Sequence, residues 1–348
     1  MRLADEELGR LVPTIERYGS AEALGQGWDD AAGSWFRQRQ FLTHAERHNA
    51  CGQRYYLLRD GDRVLAGAIL YTLRLDLLTF LRVPSPVTMH LLGVPVGIAT
   101  PGYFGAATDR AELLRHVAAA ERGLLIVLNA DQGDDLPVGA RCRMIPTLFL
   151  DLGFHDWAAY QRAMRALHRR RLRRILALGQ RLEATRGGCS AFTEAHHALY
   201  RQVHGRASAK LENLSLDFFR HLPDRFRLTS YTLAGQLVSW TITVPDGDLF
   251  MYFFGGMDYG RLRETEAYLV GLAGIVREAI ERRAPVLDLG QTAEEPKLRF
   301  GARLVEKEMY LCHHRRWVQV LLLWLRAALE FRGRAPRFHV FHAEGGAP

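Results

Sequence analysis

The chain has 348 residues, 48% hydrophobic and 24% charged, an ordinary globular composition that excludes a disordered or fibrous chain. At roughly 100–200 residues per domain, that length predicts two domains. The formal charge of +8, from 46 Lys+Arg against 38 Asp+Glu, is carried mainly by arginine. Its planar fork binds two oxygens at once and suits phosphate-bearing partners: nucleotide cofactors, nucleic acid or anionic lipid.

The opening residues MRLADEELGRLVPTIERYG mix acids and bases, read as polar helix and lack the basic and apolar regions of a signal peptide; a cytoplasmic location is expected. Residues 55–58, 64–73, 88–92 and 124–128 read as strands, with Asp60-Gly61 turning the first two into a hairpin and a helix over 111–122 before the last. A strand-like run follows at 141–152. A long helix enters through Asp156, with Trp157, Tyr160, Met164, Leu167, Ile175, Leu178 and Leu182 on its apolar stripe. Arg171 interrupts that stripe, and it either reaches round the helix edge or meets an anion beneath it.

Gly187-Gly188 closes this helix, and the second half repeats the order of the first. Helices are expected at 192–204 and 216–222, a hairpin at 226–233 and 236–244 across Ala234-Gly235, a strand at 249–254, a helix at 265–283, and strands at 286–289 and 308–312. Mixed, mostly antiparallel sheets in two α/β (α+β) domains follow, with boundaries at 1–154 and 155–348. The most apolar run, 317–325, falls short of the ~20 residues that cross a bilayer and reads as a buried or interfacial helix. Cys51, Cys142, Cys189 and Cys312 are scattered, so reduced thiols and no structural metal are expected. Neighbouring side chains in His196-His197 and His313-His314 point to different faces, which argues against joint metal ligation.

Three places carry chemistry. Gly255-Gly256, between a strand and a helix with Arg261 beyond them, sits where backbone N–H groups and a positive helix end favour an anion, or where glycine merely relaxes a turn. The strand end at 288–301, DLGQTAEEPKLRFG, releases Gln291, Thr292, two glutamates, Lys297 and Arg299 together, where ligands of α/β sheets tend to sit. Between Arg162 and Arg181 lie eight arginines, suited to phosphate or forming a solvated face, with no interleaved aromatic for base stacking. His204, near Lys210 and Glu212, is a candidate general base or a hydrogen-bonded structural histidine.

The runs GGMDYGRLRE (255–264), AYLVGLAGIVREAIERR (267–283) and LDLGQTAEEPKLRFGARL (287–304), with KLENL at 210–214 and Phe218-Phe219, resemble tandem GNAT-fold transferases of the FemAB-like group. The likeness covers about 156–312 well and the first half in element order. It implies amide formation by acyl transfer from acyl-CoA, an acyl carrier protein or aminoacyl-tRNA to an amine-bearing small molecule or precursor, with no tightly bound cofactor and no integral membrane insertion. It also implies a V-shaped slot between strands 249–254 and 286–289 that threads the donor arm. Lys297 in KLRFG matches a lysine that lies beside the reacting carbonyl in aminoacyl-transferring members. The Q/R-x-x-G-x-G/A of coenzyme A binders is missing, since 258–268 holds only Gly260. On this basis Lys297 is expected to stabilise the oxyanion, and Tyr252, Tyr259 and His204 to move protons. Gln291, Thr292, Arg171, Glu212 and Arg299 would bind substrate, and Gly255, Gly256 and Arg261 the donor cofactor. A scaffold that binds a ligand without catalysis is the third reading.

Overall fold

The structure, a computed structural model, describes residues 13–76, 86–96, 98–207, 212–333 and 335–342. Lys210 and Leu211 of the KLENL run lie outside these residues. Two compact units interleave in sequence: the first takes the described residues up to Pro95, Thr100–Met144 and Glu308–Glu330, and the second takes Val96–Ala99, Ile145–Lys307 and the residues from Phe331 on.

In the first unit, β1 (Thr14–Tyr18), β2 (Arg54–Asp60), β3 (Arg63–Asp76), β4 (Pro86–Leu92) and β6 (Leu124–Asp131) lie side by side, with the short β5 (Tyr103–Gly105) on β3. The β2–β3 hairpin turns at Gly61, whose φ of 56° suits a residue without Cβ. β3 and β4 are antiparallel, whereas β4 and β6 run parallel because the helix Ala107–Ala120 carries the chain back between them. Tyr56, Leu70, Leu113, Val117 and Val127 form its core, together with Tyr310 from far along the chain.

The second unit follows the same plan. β9 (Arg227–Leu233) and β10 (Gln236–Asp246) form a hairpin in which Ala234 and Gly235 both take positive φ, 50° and 76°, the geometry of a tight primed turn. β11 (Leu249–Met257) adds antiparallel, the helix Ala267–Glu281 crosses back, and β12 (Val286–Gln291) pairs parallel to β11. An exposed edge strand, β8 (Glu183–Gly187), pairs with β9. β7 (Ala140–Asp151) closes the other side by pairing antiparallel with β12 from Asp151 to Thr147. In return, the late strand β13 (Arg303–His313) runs beside β6, so each half of the sequence supplies a strand to the other's unit.

Several elements differ from expectation. Residues 14–18 form a strand where polar helix was expected. The long helix is two: Asp156 caps Trp157–Ala163 by accepting from Ala159 N at 2.6 Å, the backbone extends at Met164 and Arg165, and Ala166–Gly179 resumes. The break is held by Val340 and His342, since Arg165 N donates to Val340 O at 2.8 Å and His342 N to Ala163 O at 3.0 Å. The inward face is Met164, His168, Leu172 and Ile175, while Leu167 is 71% exposed. The apolar run near the end forms the helix Arg316–Leu329, which buries none of its residues.

Candidate functional site

β11 and β12 pair at only three positions, Leu249 with Val286, Phe250 with Leu287 and Met251 with Asp288. Beyond them β11 bulges: Ile242 and Thr243 of β10 oppose Phe254 and Tyr252, and Phe253 is the extra residue. A bulge sharpens the local twist and turns the strand away from its partner. Both strands continue past the last pair, so their pairing stops before either strand ends, as expected where a GNAT unit opens a slot.

The chain leaves β12 through a loop of unusual backbone. Gly290, Thr292 and Ala293 have φ of 70°, 61° and 48°, and left-handed conformations at Thr and Ala are strained. Lys297, 3% exposed, holds that loop: its Nζ donates to the carbonyls of Gly290, Gln291 and Thr292 at 3.3, 2.8 and 2.7 Å. Three hydrogen bonds occupy an ammonium's three donors. Burial pushes Lys297 down to about 7, opposed by the carboxylates of Asp288 and Glu294. Asp288, equally buried, accepts from Gly290 N at 2.7 Å and from Thr147 Oγ1 at 3.1 Å. Burial raises its carboxyl pKa against those bonds and the charges of Lys297 and Lys307. Gln291 turns its amide to Ile145 O at 2.7 Å, and Thr292 is exposed. Asp288, the lone carboxylate in the apolar strand VLDLG, is expected from the sequence only as one of three carboxylates, with Glu294 and Glu295, that would pair with Lys297 to pin the loop.

Gly255 and Gly256 lie inside β11, which runs on to Met257, and not in a strand-to-helix turn. Close side-chain packing explains both: a methyl on Gly255 would stand 2.1 Å from Tyr252 Oη, and one on Gly256 2.3 Å from Trp240 Nε1. The Tyr252 phenol thus lies over the backbone of its own strand, and burial raises it well above the ordinary tyrosine value, which keeps it protonated. The turn proper is 258–261. There Gly260 N donates to Asp258 Oδ1 at 2.8 Å, Tyr259 N to Gln202 at 3.2 Å, and Arg206 stacks 4.0 Å above the Tyr259 ring. Arg261 bonds Gln236 at 3.0 Å and Glu264 at 3.3 Å.

Arg171 and Arg299, far apart in sequence, line one small cavity with His168, Leu269 and Pro296. Burial lowers the Arg171 pKa, and the Arg299 charge adds to that. Arg299 also bonds Glu295 at 2.7 Å and lies 4.3 Å over Phe338. Other arginines of the cluster serve the fold: Arg174 pairs with Glu266 at 2.6 Å, Arg181 with Glu264 at 3.7 Å, and Arg169 bonds the carbonyls of Arg162 and Met164. Arg162, Arg170 and Arg173 retain solvent exposure. His204 Nε2 is buried without a hydrogen-bond partner among the described residues. Glu212 accepts at 3.2 Å from the N–H of Val96, a β-branched residue with φ of 101°. That Val96, Ile98 and Ala99 belong to the second unit was not foreseen. A larger cavity of about 490 Å³ in the first unit, lined by Arg115, His313, His314 and Gln319, holds none of the expected site residues.

Residues 162–298 match the family model of the acetyltransferase (GNAT) domain. Among solved structures, FemX shares the fold with a TM-score of 0.55 at 11% identity, covering 88% of this chain and 99% of its own. L-PGS from Bacillus licheniformis does so with 0.50 at 13% identity, covering 88% and 95%. No curated protein matches the chain by sequence. Residues 162–298 thus resemble a GNAT acetyltransferase domain, and the likeness to FemX and L-PGS is one of fold.

Proposed function

We propose that the chain joins an acyl group from an activated thioester, on coenzyme A or a carrier protein, to an amine. The early end of β11–β12 pairing supports this best. Beyond Met251 and Asp288 the two strands no longer pair, and the amide-bearing arm of a thioester would run along β11 in place of the missing neighbour strand. The amine attacks the thioester carbonyl, a C–N bond forms, and the C–S bond breaks. His204 takes the proton the amine loses, and the Tyr252 phenol donates one to the departing thiolate. Gln291 and Thr292 line the strand end where the carbonyl rests. Arg171 and Arg299 attract the donor's phosphates. Tyr259 and Arg261 shape the turn beyond, and Lys297 holds the loop or stands beside the growing oxyanion.

The solvent-facing Arg162, Arg170 and Arg173 favour a second reading, an aminoacyl-tRNA donor. A donor panel of acyl-CoAs, acyl carrier proteins and charged tRNAs, with products read by mass spectrometry, separates the two. Turnover with thioesters is expected. Turnover with charged tRNA alone, weakening steeply with salt, would establish the second reading, and binding of donors without any product would leave a non-catalytic scaffold.

A further inference from the structure

The helix Arg316–Leu329 presents its apolar side outward. Gln319 marks its inward face: Nε2 donates to Leu311 O at 3.2 Å, and Oε1 accepts from His313 N at 2.8 Å. Leu322, three residues on, packs with Ala140, Cys142 and Leu311 on the same inward face. Opposite them stand Trp317, Leu321 and Trp324, which are 66%, 47% and 82% exposed, with Val320 and Leu325 at the edges. Of the nine exposed large hydrophobics among the described residues, seven are on this helix. A contiguous patch of that kind marks an interaction surface.

The charges say what covers it. The helix contains no acid. Arg315 and Arg316 stand at its start and Arg326 in its last turn, with no carboxylate paired to them among the described residues, and Glu330 beyond it reaches Arg143 at 3.5 Å. A two-fold dimer through this face would bring those arginines against their own copies. An anionic surface would attract them, as it would the net charge of +8. No helix among the described residues is long and apolar enough to cross a membrane. We propose that this helix lies on an anionic membrane surface. Trp317, Leu321 and Trp324 enter the boundary between headgroups and acyl chains, and the arginine stems reach up to the phosphates.

The full chain is sedimented with phosphatidylcholine vesicles, with and without phosphatidylglycerol. The unchanged protein is expected to pellet with the anionic vesicles, less so at high salt, and its tryptophan emission to shift blue. Trp317→Ser with Trp324→Ser should lower partitioning by roughly 10-fold or more, and Arg315→Gln with Arg316→Gln should remove the preference for anionic lipid. All four sites are exposed, so circular dichroism should be unchanged. Failure of the unchanged protein to pellet, or equal pelleting of the tryptophan variant, overturns the proposal. So does a concentration-dependent dimer by light scattering that the tryptophan variant abolishes while no vesicle binding is seen, which would assign the face to a second copy.

Discussion

Lys297 and the loop it clasps are the point where stability and chemistry compete for one residue. With its three donors on the carbonyls of Gly290, Gln291 and Thr292, Lys297→Met removes the donor to three half-buried or exposed loop carbonyls, at about 1–3 kcal/mol in all. The expected outcome is a lower Tm and a higher KM for the donor with kcat changed little. A kcat loss of about 10²–10³ at unchanged Tm would instead place Lys297 at the oxyanion. Gly255 offers a coupled test. Gly255→Ala puts a methyl 2.1 Å from Tyr252 Oη and should destabilise by about 1–3 kcal/mol, and Tyr252→Phe, by removing that oxygen, should recover part of the loss in a double-mutant cycle. His196 sets a pH limit. It accepts from Thr193 N through Nδ1, meets Ser230 through Nε2, and is held below its ordinary 6.5 by burial. The unfolded chain then binds a proton that the folded one refuses, so stability falls as pH drops below about 6.5 and is level above it as far as this group is concerned. Melting curves at pH 7.5 and 5.5 for the unchanged protein and His196→Gln check this, the variant being expected to lose that dependence.

At the scale of elements, the arginine helix divides its labour by position. Arg174 and Arg181 pair with Glu266 and Glu264 beside the start of the helix Ala267–Glu281, whereas Arg170 and Arg173 face outward. Replacing the outward pair with alanine should leave stability within about 1 kcal/mol of unchanged. With a tRNA donor, it should also flatten the salt dependence of binding by about one unit of slope for each phosphate that is no longer neutralised. Filter binding across a salt series reads that slope, and an unaltered slope would make both residues a solvated face. Little of this division shows in the periodicity, because the helix is interrupted at Met164–Arg165, where the backbone bonds to residues 340–342, distant in the chain.

At the scale of the whole molecule, strand exchange ties folding of each half to the other. The first unit's core includes Tyr310, whose hydroxyl donates to Asp134 O at 2.5 Å, and Cys312. The second unit needs β7 on β12. A fragment ending at residue 154 should therefore show no cooperative melting and should bind a hydrophobic dye, and co-expression with 155–348 should restore a sharp transition. A fragment 1–154 that melts cooperatively alone would show that β13 is dispensable to it.

Periodicity, turn residues and the order of apolar runs were enough to predict both hairpins and both crossover helices, because a strand's alternation and a glycine's positive φ are local properties. The family motifs likewise led to the early end of pairing between β11 and β12. What only tertiary structure decided depends on partners distant in sequence: which unit β7 and β13 complete, why Gly255 must lack a side chain, and that Arg171 meets Arg299. Lys297 shows the boundary most clearly. The sequence places a cation at a strand end, but only the fold turns the carbonyls of a strained loop back toward it.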